Sequence, residues 1–247
     1  MRLRSFRLGA ALVAVVGIAG VVSACGGGSS GSGGSTATTG TSAEQARLPR
    51  GASVNYGSPP PAIAPAVKKA AAAAGCTVTG LRAEPAQIQP DGTYHVLYEP
   101  TYHVSLPPAS GLHYPVWADY GVYDQPVPFR FQVHDLEHGA IIVHLGSGVQ
   151  NGKARQQVVA MWRENPAYML VVPEVFKQFP ANALVVTSWQ RWMVCKPYSP
   201  KDVAAVRTYA NVYRGTGPEA IPGTDAGQGV AGLPKPAIPD PGASASG

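Results

Sequence analysis

A cysteine placed directly after an export leader constrains this chain more than any other feature, because it decides where the rest of the chain folds. Three arginines occupy the first seven residues, and an apolar run from Leu8 to Val22 follows them. That run is shorter than the about 20 residues needed to cross a bilayer, but it suits the core of a signal peptide. It ends in Val22-Ser23-Ala24-Cys25, a branched apolar residue and two small residues before a cysteine. We therefore expect cleavage before Cys25, lipidation of its thiol, and anchoring of the mature chain to the outer face of a cell membrane.

The leader is the first of four segments that differ in composition. We expect a signal peptide at residues 1–24, followed by the lipidated Cys25 and a flexible Gly/Ser/Thr-rich tether over residues 25–57. Residues 58–214 are predicted to form a globular domain, and residues 215–247, rich in Pro, Gly and Ala, to be disordered. An ordinary secretory signal followed by a chance cysteine is the alternative, because a small-residue site for ordinary processing is also present.

The charge of the mature chain argues against a nucleic-acid partner. The full sequence has 19 Lys and Arg against 14 Asp and Glu, but three of the arginines lie in the leader and no acid does. The mature chain therefore has 16 basic and 14 acidic residues, a net charge of +2. No basic stripe with interleaved aromatic residues remains to bind nucleic acid. The membrane, reached through the lipid anchor, is the partner that the sequence predicts; it identifies no protein partner.

The three cysteines are divided between the anchor and one further pair. With Cys25 assigned to lipid, Cys76 and Cys195 remain. An even number of cysteines in an oxidising compartment predicts a disulfide, and two buried free thiols are the alternative. In the chain-entropy model, closing a loop of that length stabilises a fold by about 4–5 kcal/mol.

The pattern of apolar residues predicts an α+β fold: a single domain with a mainly antiparallel sheet and about three helices, flanked by disordered tails. Ala62–Ala74 form an Ala/Lys-rich helix with Gly75 at its C-terminus, and Lys153–Glu164 form a second, which Pro166 ends. A third begins after Ser199-Pro200, with the serine as N-cap. Aromatic and β-branched runs predict six strands, at Tyr94–Tyr98, Tyr102–Leu106, Phe129–Val133, Ala140–Leu145, Tyr168–Val172 and Leu184–Trp189.

Any chemistry of this chain lies in a histidine-rich segment, since all six histidines fall within a fifth of the sequence and imidazole is the most common metal ligand in proteins. The run His134-Asp135-Leu136-Glu137-His138 matches the zinc motif H-x-x-E-H of the inverzincin peptidases, in which two histidines bind zinc and the glutamate is the base. Those peptidases carry the motif inside a long helix. The strands expected on either side leave room here for at most one helical turn, so the context disfavours a peptidase.

Four motifs along this segment form one pattern. They are Thr101-Tyr102-His103-Val104, Pro107-Pro108-Ala109-Ser110-Gly111-Leu112-His113, Gly121-Val122-Tyr123-Asp124 and Val133-His134-Asp135-Leu136-Glu137-His138-Gly139-Ala140. Together they resemble a bacterial family of secreted and membrane-anchored proteins, the domain-of-unknown-function family 3105. The resemblance covers about residues 75–212.

The resemblance implies a set of candidate metal ligands but no established activity. The family's histidines fall on His103, His113, His134 and His138, and its acid falls on Glu137. Three or four imidazoles with a carboxylate suit Zn(II) or Cu(II), whereas Cu(I) prefers thiolates and thioethers. The carboxylate of Glu137 could be a ligand, an acceptor that orients an imidazole, or a general base.

The chain departs from the family pattern at three positions. His95 and His144 match nothing in it, and His144 stands where members often have an aromatic residue. Many members also have a cysteine where this chain has Tyr120, which implies that Cys76–Cys195 is the only bridge.

Three functions follow as hypotheses. The first is an envelope protein that buffers, delivers or senses Zn or Cu through the histidine cluster. The second is a metal-dependent hydrolase with Glu137 as its base. The third is a structural or partner-binding envelope module whose histidines form internal hydrogen bonds.

Overall fold

The structure of this chain is a computed structural model that describes residues 60–82, 93–103, 105–174, 176, 178–219, 221 and 233–242. The predicted signal peptide, Cys25 and the tether lie outside the described residues. Within the described ranges, no helix combines the length and the apolar character needed to cross a membrane.

Seven strands of the described residues form one mixed sheet. In chain order they are β1 (Thr77–Gly80), β2 (Gly121–Val122), β3 (Ile141–Leu145), β4 (Met169–Pro173), β5 (Leu184–Ser188), β6 (Arg191–Cys195) and β7 (Ile238–Pro239). Across the sheet the order is β1-β6-β5-β3-β4-β2-β7. Strand β4 pairs in parallel with β3 and β2, and the other four pairings are antiparallel. The predicted α+β domain with a mainly antiparallel sheet is therefore confirmed.

The centre of the sheet is buried on both faces. Every residue of β3, β4 and β5 is buried, so these strands are mostly apolar and do not alternate between buried and exposed positions; His144, Thr187 and Ser188 are their buried polar residues. The described helices are α1 (Pro65–Ala74), α2 (Phe129–Glu137), α3 (Gly152–Glu164) and α4 (Asp202–Tyr213). Helices α1, α3 and α4, the three that the sequence predicts, pack on one face through residues such as Val67, Trp162 and Tyr209. Helix α2 packs on the other face through Phe131 and Leu136.

The predicted disulfide is confirmed. Cys76 and Cys195 are bonded, with their Cα atoms 4.3 Å apart. Gly75 ends α1 in the left-handed conformation, with φ of 83°, and so delivers Cys76 directly to the start of β1. Strand β1 pairs with β6, the strand that ends at Cys195. The bond therefore joins the end of α1 to the end of β6, the strand next to β1 at this edge of the sheet.

Helix α2 stands where a strand was predicted. The alternation at Phe129–Val133 predicts a strand, but these residues begin the helix, so that prediction is wrong. Pro128 precedes them with φ of −61°, a position at the start of a helix where the missing N–H is not needed. Each residue from Phe131 to Glu137 is buried, so no exposed face marks the helix in the sequence. The H-x-x-E-H run therefore lies largely on a helix, and its two histidines are one turn apart.

Loops replace the two strands predicted at Tyr94–Tyr98 and Tyr102–Leu106, so those predictions are wrong for the described residues. Pro100 and Pro107 cannot donate to a strand ladder, which limits pairing in this stretch. One isolated bridge remains there, between His95 and His113.

Part of the C-terminal tail is ordered against the domain, which differs from the predicted disorder of residues 215–247. Strand β7 pairs with β2, in the register Gly121↔Pro239 and Val122↔Ile238. A proline is tolerated there because β7 is an edge strand. The absence of a side chain at Gly121 allows this pairing, since a Cβ would lie 2.6 Å from the carbonyl oxygen of Ile238.

Candidate metal centre

Four ionisable side chains converge beside α2. His95, His113, His134 and Glu137 each offer one ligand atom, and these atoms all lie within 4.8 Å of one another. We call these four residues the inner ligand set. Two of its members are one helical turn apart on α2, and the other two come from loops joined by the bridge between His95 and His113. Nitrogen and oxygen ligands of this kind are those that Zn(II) uses.

The ring of His113 is oriented by a backbone carbonyl. Its Nδ1 lies 2.9 Å from the carbonyl oxygen of Gly111, which can only accept, so Nδ1–H is the donor, and in the neutral ring Nε2 has the lone pair. That Nε2 lies 3.0 Å from Oε2 of Glu137, and both side chains are buried. Apart from each other, neither atom has a hydrogen-bond partner among the described residues. A lone pair and a carboxylate oxygen face each other, and this is favourable only with a proton or a cation between them.

The ring of His134 is oriented in the same way. Its Nδ1 lies 2.6 Å from the carbonyl oxygen of Tyr114, so Nδ1–H donates and Nε2 has a lone pair. Burial lowers the pKa of His134 well below its usual value, and the neighbouring imidazoles of His113, His138 and His95 lower it further. His134 is therefore neutral at neutral pH, which is the form that binds a metal ion.

The pKa values of the two acids of α2 are shifted in opposite directions. Burial opposes ionisation of Glu137, but positive charge on the neighbouring histidines, His113 foremost, and a hydrogen bond from His113 outweigh it, and the pKa of Glu137 is lowered. Burial raises the pKa of Asp135 well above its usual value, and its Oδ2 accepts the backbone N–H of Ala118. Of these two acids, Glu137 is therefore the more easily ionised, and it lies in the inner ligand set.

A second group shares His134 with the first. Nε2 of His138 lies 3.0 Å from Nε2 of His134 and 3.5 Å from Oε2 of Glu219, and we call these three residues the outer ligand set. Because Nε2 of His134 is an acceptor, the hydrogen bond between the rings is donated by Nε2–H of His138. The other ring nitrogen of His138, Nδ1, is buried with no hydrogen-bond partner in the described part of the chain. The indole of Trp117 packs on this pair, its centroid 4.6 Å from that of His138.

Glu219 is brought to the site by residues 215–219, which we call the strap. The backbone N–H of Gly215 donates to the carbonyl oxygen of Gly139 (2.8 Å), and that of Glu219 donates to the carbonyl oxygen of Glu137 (3.0 Å). Gly217 passes so close to the end of α2 that a Cβ on it would lie 2.0 Å from the carbonyl oxygen of Glu137. The end of the H-x-x-E-H motif and the strap are thus in direct backbone contact.

The structure brings most of the predicted site residues together, but not all. His113, His134 and Glu137 are in the inner ligand set, and His138 is in the outer one. His103 is exposed and belongs to neither set.

Two members of these sets were missed by the sequence reasoning. His95 matches nothing in the family pattern; the only local signal is its position between the buried residues Tyr94 and Val96. Glu219 stands in a Gly- and Pro-rich stretch that gives no sign of packing.

His144 is a structural histidine, and it shows by contrast what is unusual about the ligand sets. Its Nδ1 lies 2.7 Å from Oε1 of Glu174, and its Nε2 lies 2.9 Å from Oγ1 of Thr187. The order hydroxyl, imidazole, carboxylate is that of a nucleophile and its base, but all three residues are buried in the sheet. Both ring nitrogens of His144 have hydrogen-bond partners, whereas Nδ1 of His138 has none among the described residues and Nε2 of His113 faces only Glu137.

Comparison with known proteins gives one match. A family model described as "Protein of unknown function (DUF3105)" matches residues 95–223, just over half of the 247 residues. No curated protein and no solved structure matches the chain. The matched range begins at His95 and includes Glu219, so both ligand sets lie inside it.

Proposed function

Because the chain belongs to the DUF3105 family, whose function is unknown, we propose a function from the site itself: the protein binds one divalent transition metal ion, Zn(II) or Cu(II), through the inner ligand set. One observation carries the proposal. Nε2 of His113 and Oε2 of Glu137, both buried, face each other at 3.0 Å, and among the described residues neither has another hydrogen-bond partner; with His113 neutral, both are acceptors.

A metal ion satisfies this arrangement better than protein groups alone. Ligand distances of about 2.0–2.2 Å place two ligands of a tetrahedral Zn(II) about 3.3 Å from each other. The separation of 3.0 Å between His113 and Glu137 is close to that value. The carbonyls of Gly111 and Tyr114 bind the other ring nitrogens, which is how metal-ligating histidines are usually oriented. A divalent ion would also balance the buried charge of Glu137.

The geometry favours binding over the two other hypotheses. A hydrolase would use Glu137 as a base acting on a water at an open coordination position, but Glu137 lies among the ligand atoms, where it completes a four-ligand set typical of closed sites. A structural module would hydrogen-bond its histidines internally, as His144 does. Nδ1 of His138 is buried without such a bond among the described residues, and Nε2 of His113 faces only the carboxylate of Glu137.

The donor atoms select the class of metal. Three imidazoles and one carboxylate suit Zn(II) and Cu(II), as predicted from the histidines alone. A thiolate ligand, which would favour Cu(I), is not available from Cys76 or Cys195, because these are bonded to each other.

We further propose that the protein binds this ion outside the cytoplasm, at the membrane surface to which lipidated Cys25 would anchor it. The disulfide supports this location, since such bonds persist in oxidising compartments. There the protein would buffer or deliver the ion.

The experiment is metal analysis of the purified full-length protein after chelation, reconstitution with Zn(II) or Cu(II) and removal of free metal. We expect one ion per chain in the wild type and its loss in His113→Gln and Glu137→Gln. The variant His103→Gln, the same change at an exposed histidine, is the control and should retain the ion. A wild type that retains neither metal would refute the proposal, and so would a site that survives Glu137→Gln but not His103→Gln.

A further inference from the structure

We propose that the outer ligand set is a transfer site, through which the metal ion enters and leaves the inner ligand set. His134 belongs to both sets and would hold the ion while the other ligands exchange. This inference rests on the proposed function, and it adds a route and a direction of movement to the binding site.

The two sets cannot be filled at the same time. Nδ1–H of His134 is bound to the carbonyl oxygen of Tyr114, which leaves Nε2 as its only ligand atom. One imidazole lone pair binds one ion. Two static sites would therefore compete for His134, whereas a single ion that moves between them uses it throughout.

His138 is not oriented as a resident ligand. The rings of His113 and His134 are each held by a backbone carbonyl, but Nδ1 of His138 is buried without a hydrogen-bond partner. Its Nε2 has partners on two sides, His134 at 3.0 Å and Glu219 at 3.5 Å. A ring that no backbone carbonyl holds in place suits temporary coordination better than permanent coordination.

The outer ligand set brings a carboxylate close to solvent. Each set has one half-buried member, but in the outer set it is the carboxylate of Glu219, 12% exposed, whereas in the inner set it is the imidazole of His95; His113 is fully buried. A bare divalent ion would lose its hydration on entering such an interior at high cost. Stepwise exchange avoids this cost, because Glu219 and His138 release the ion only as His113 and Glu137 bind it.

The test compares Zn(II) exchange rates with Zn(II) affinity in the full-length protein. Release into excess chromophoric chelator and uptake from solution are followed by stopped-flow absorbance, and Kd comes from competition with the same chelator. The variants are Glu219→Gln, which keeps the size of the side chain but removes its charge, and His138→Gln. The matched controls are Glu164→Gln, at an exposed acid paired with Arg207, and His103→Gln.

We expect the uptake and release rates of Glu219→Gln and His138→Gln to fall together by about tenfold or more, the size of effect that loss of a metal-site partner has, with Kd changed by less than about twofold. Unchanged rates in Glu219→Gln would overturn the inference. Weaker binding, that is a higher Kd, with an unchanged uptake rate in either variant would also overturn it, because His138 or Glu219 would then be a resident ligand. A wild type that binds no Zn(II) would instead refute the proposed function on which the inference rests.

Discussion

Replacing His144 by phenylalanine should destabilise the domain strongly and leave metal binding unchanged. The substitution removes the partner of Glu174, whose side chain is only 5% exposed and lies 2.7 Å from the imidazole. Removing one partner of a buried pair leaves the other uncompensated, which costs about 3–5 kcal/mol. For a domain of this size, about 2–4 °C in Tm corresponds to each kcal/mol, so we expect Tm to fall by roughly 6–20 °C.

The assay is urea denaturation together with a thermal melt and Zn(II) stoichiometry. The double variant His144→Phe/Glu174→Leu removes both partners and should recover much of the loss, because replacing both members of a buried polar pair by apolar groups is often nearly neutral. His113→Phe is the opposite control, since it should abolish Zn(II) binding. If His144→Phe cost less than about 1 kcal/mol, the pair would contribute no more than an ordinary hydrogen bond, and the reasoning would be refuted.

Three further outcomes are expected. Zn(II) at about 100 times Kd should raise the free energy of unfolding by about 2.7 kcal/mol, as measured by thermal melts, and should have no effect on Glu137→Gln. In the metal-free protein, the free energy of unfolding should fall as pH drops below the usual histidine pKa of about 6.5, by about 1.4 kcal/mol per pH unit. The reason is that His134 gains a proton in the unfolded state that the folded state excludes. Urea titrations from pH 7.5 to 5 should show a weaker dependence of this free energy on pH in His134→Gln. Gly217→Ala should displace the strap, because its Cβ would overlap the carbonyl oxygen of Glu137, and limited proteolysis should then cut the chain near residue 217 while α2 stays protected.

The buried centre of the fold could be predicted from the sequence because its signals are local. Ala140–Leu145, Tyr168–Val172 and Leu184–Trp189 are apolar, β-branched runs, and each contains one of the central strands. The disulfide followed from the number of cysteines and the expected compartment. The strands depend on residues close in sequence, and the disulfide prediction depends on a count of the cysteines.

The helix that carries the site could not be recognised in the same way. Five alternating residues, Phe129–Val133, fit a strand as well as a helix, and burial on all sides removed the polar face that would have distinguished them. The error mattered, because the supposed strand was the reason for confining the H-x-x-E-H run to one turn.

The ligand sets depended on contacts that no local pattern encodes. His95 joins the site through a backbone bridge to His113, 18 residues later, and Glu219 joins it through the strap. The family pattern pointed instead to His103, which lies outside both sets. The residue types predicted a metal site, but tertiary contacts determine which histidines and acids belong to the two ligand sets.

The disulfide separates one ligand, Glu219, covalently from all the others. Every inner ligand lies between Cys76 and Cys195 and therefore inside a closed ring of chain, whereas Glu219 lies beyond it. Local opening of the strap would release Glu219 without loosening that ring, so hydrogen exchange at the strap could be fast while α2 remains protected. The covalent ring thus allows one ligand, Glu219, to move away at low cost while the other ligands stay in the part of the domain that opens only on global unfolding.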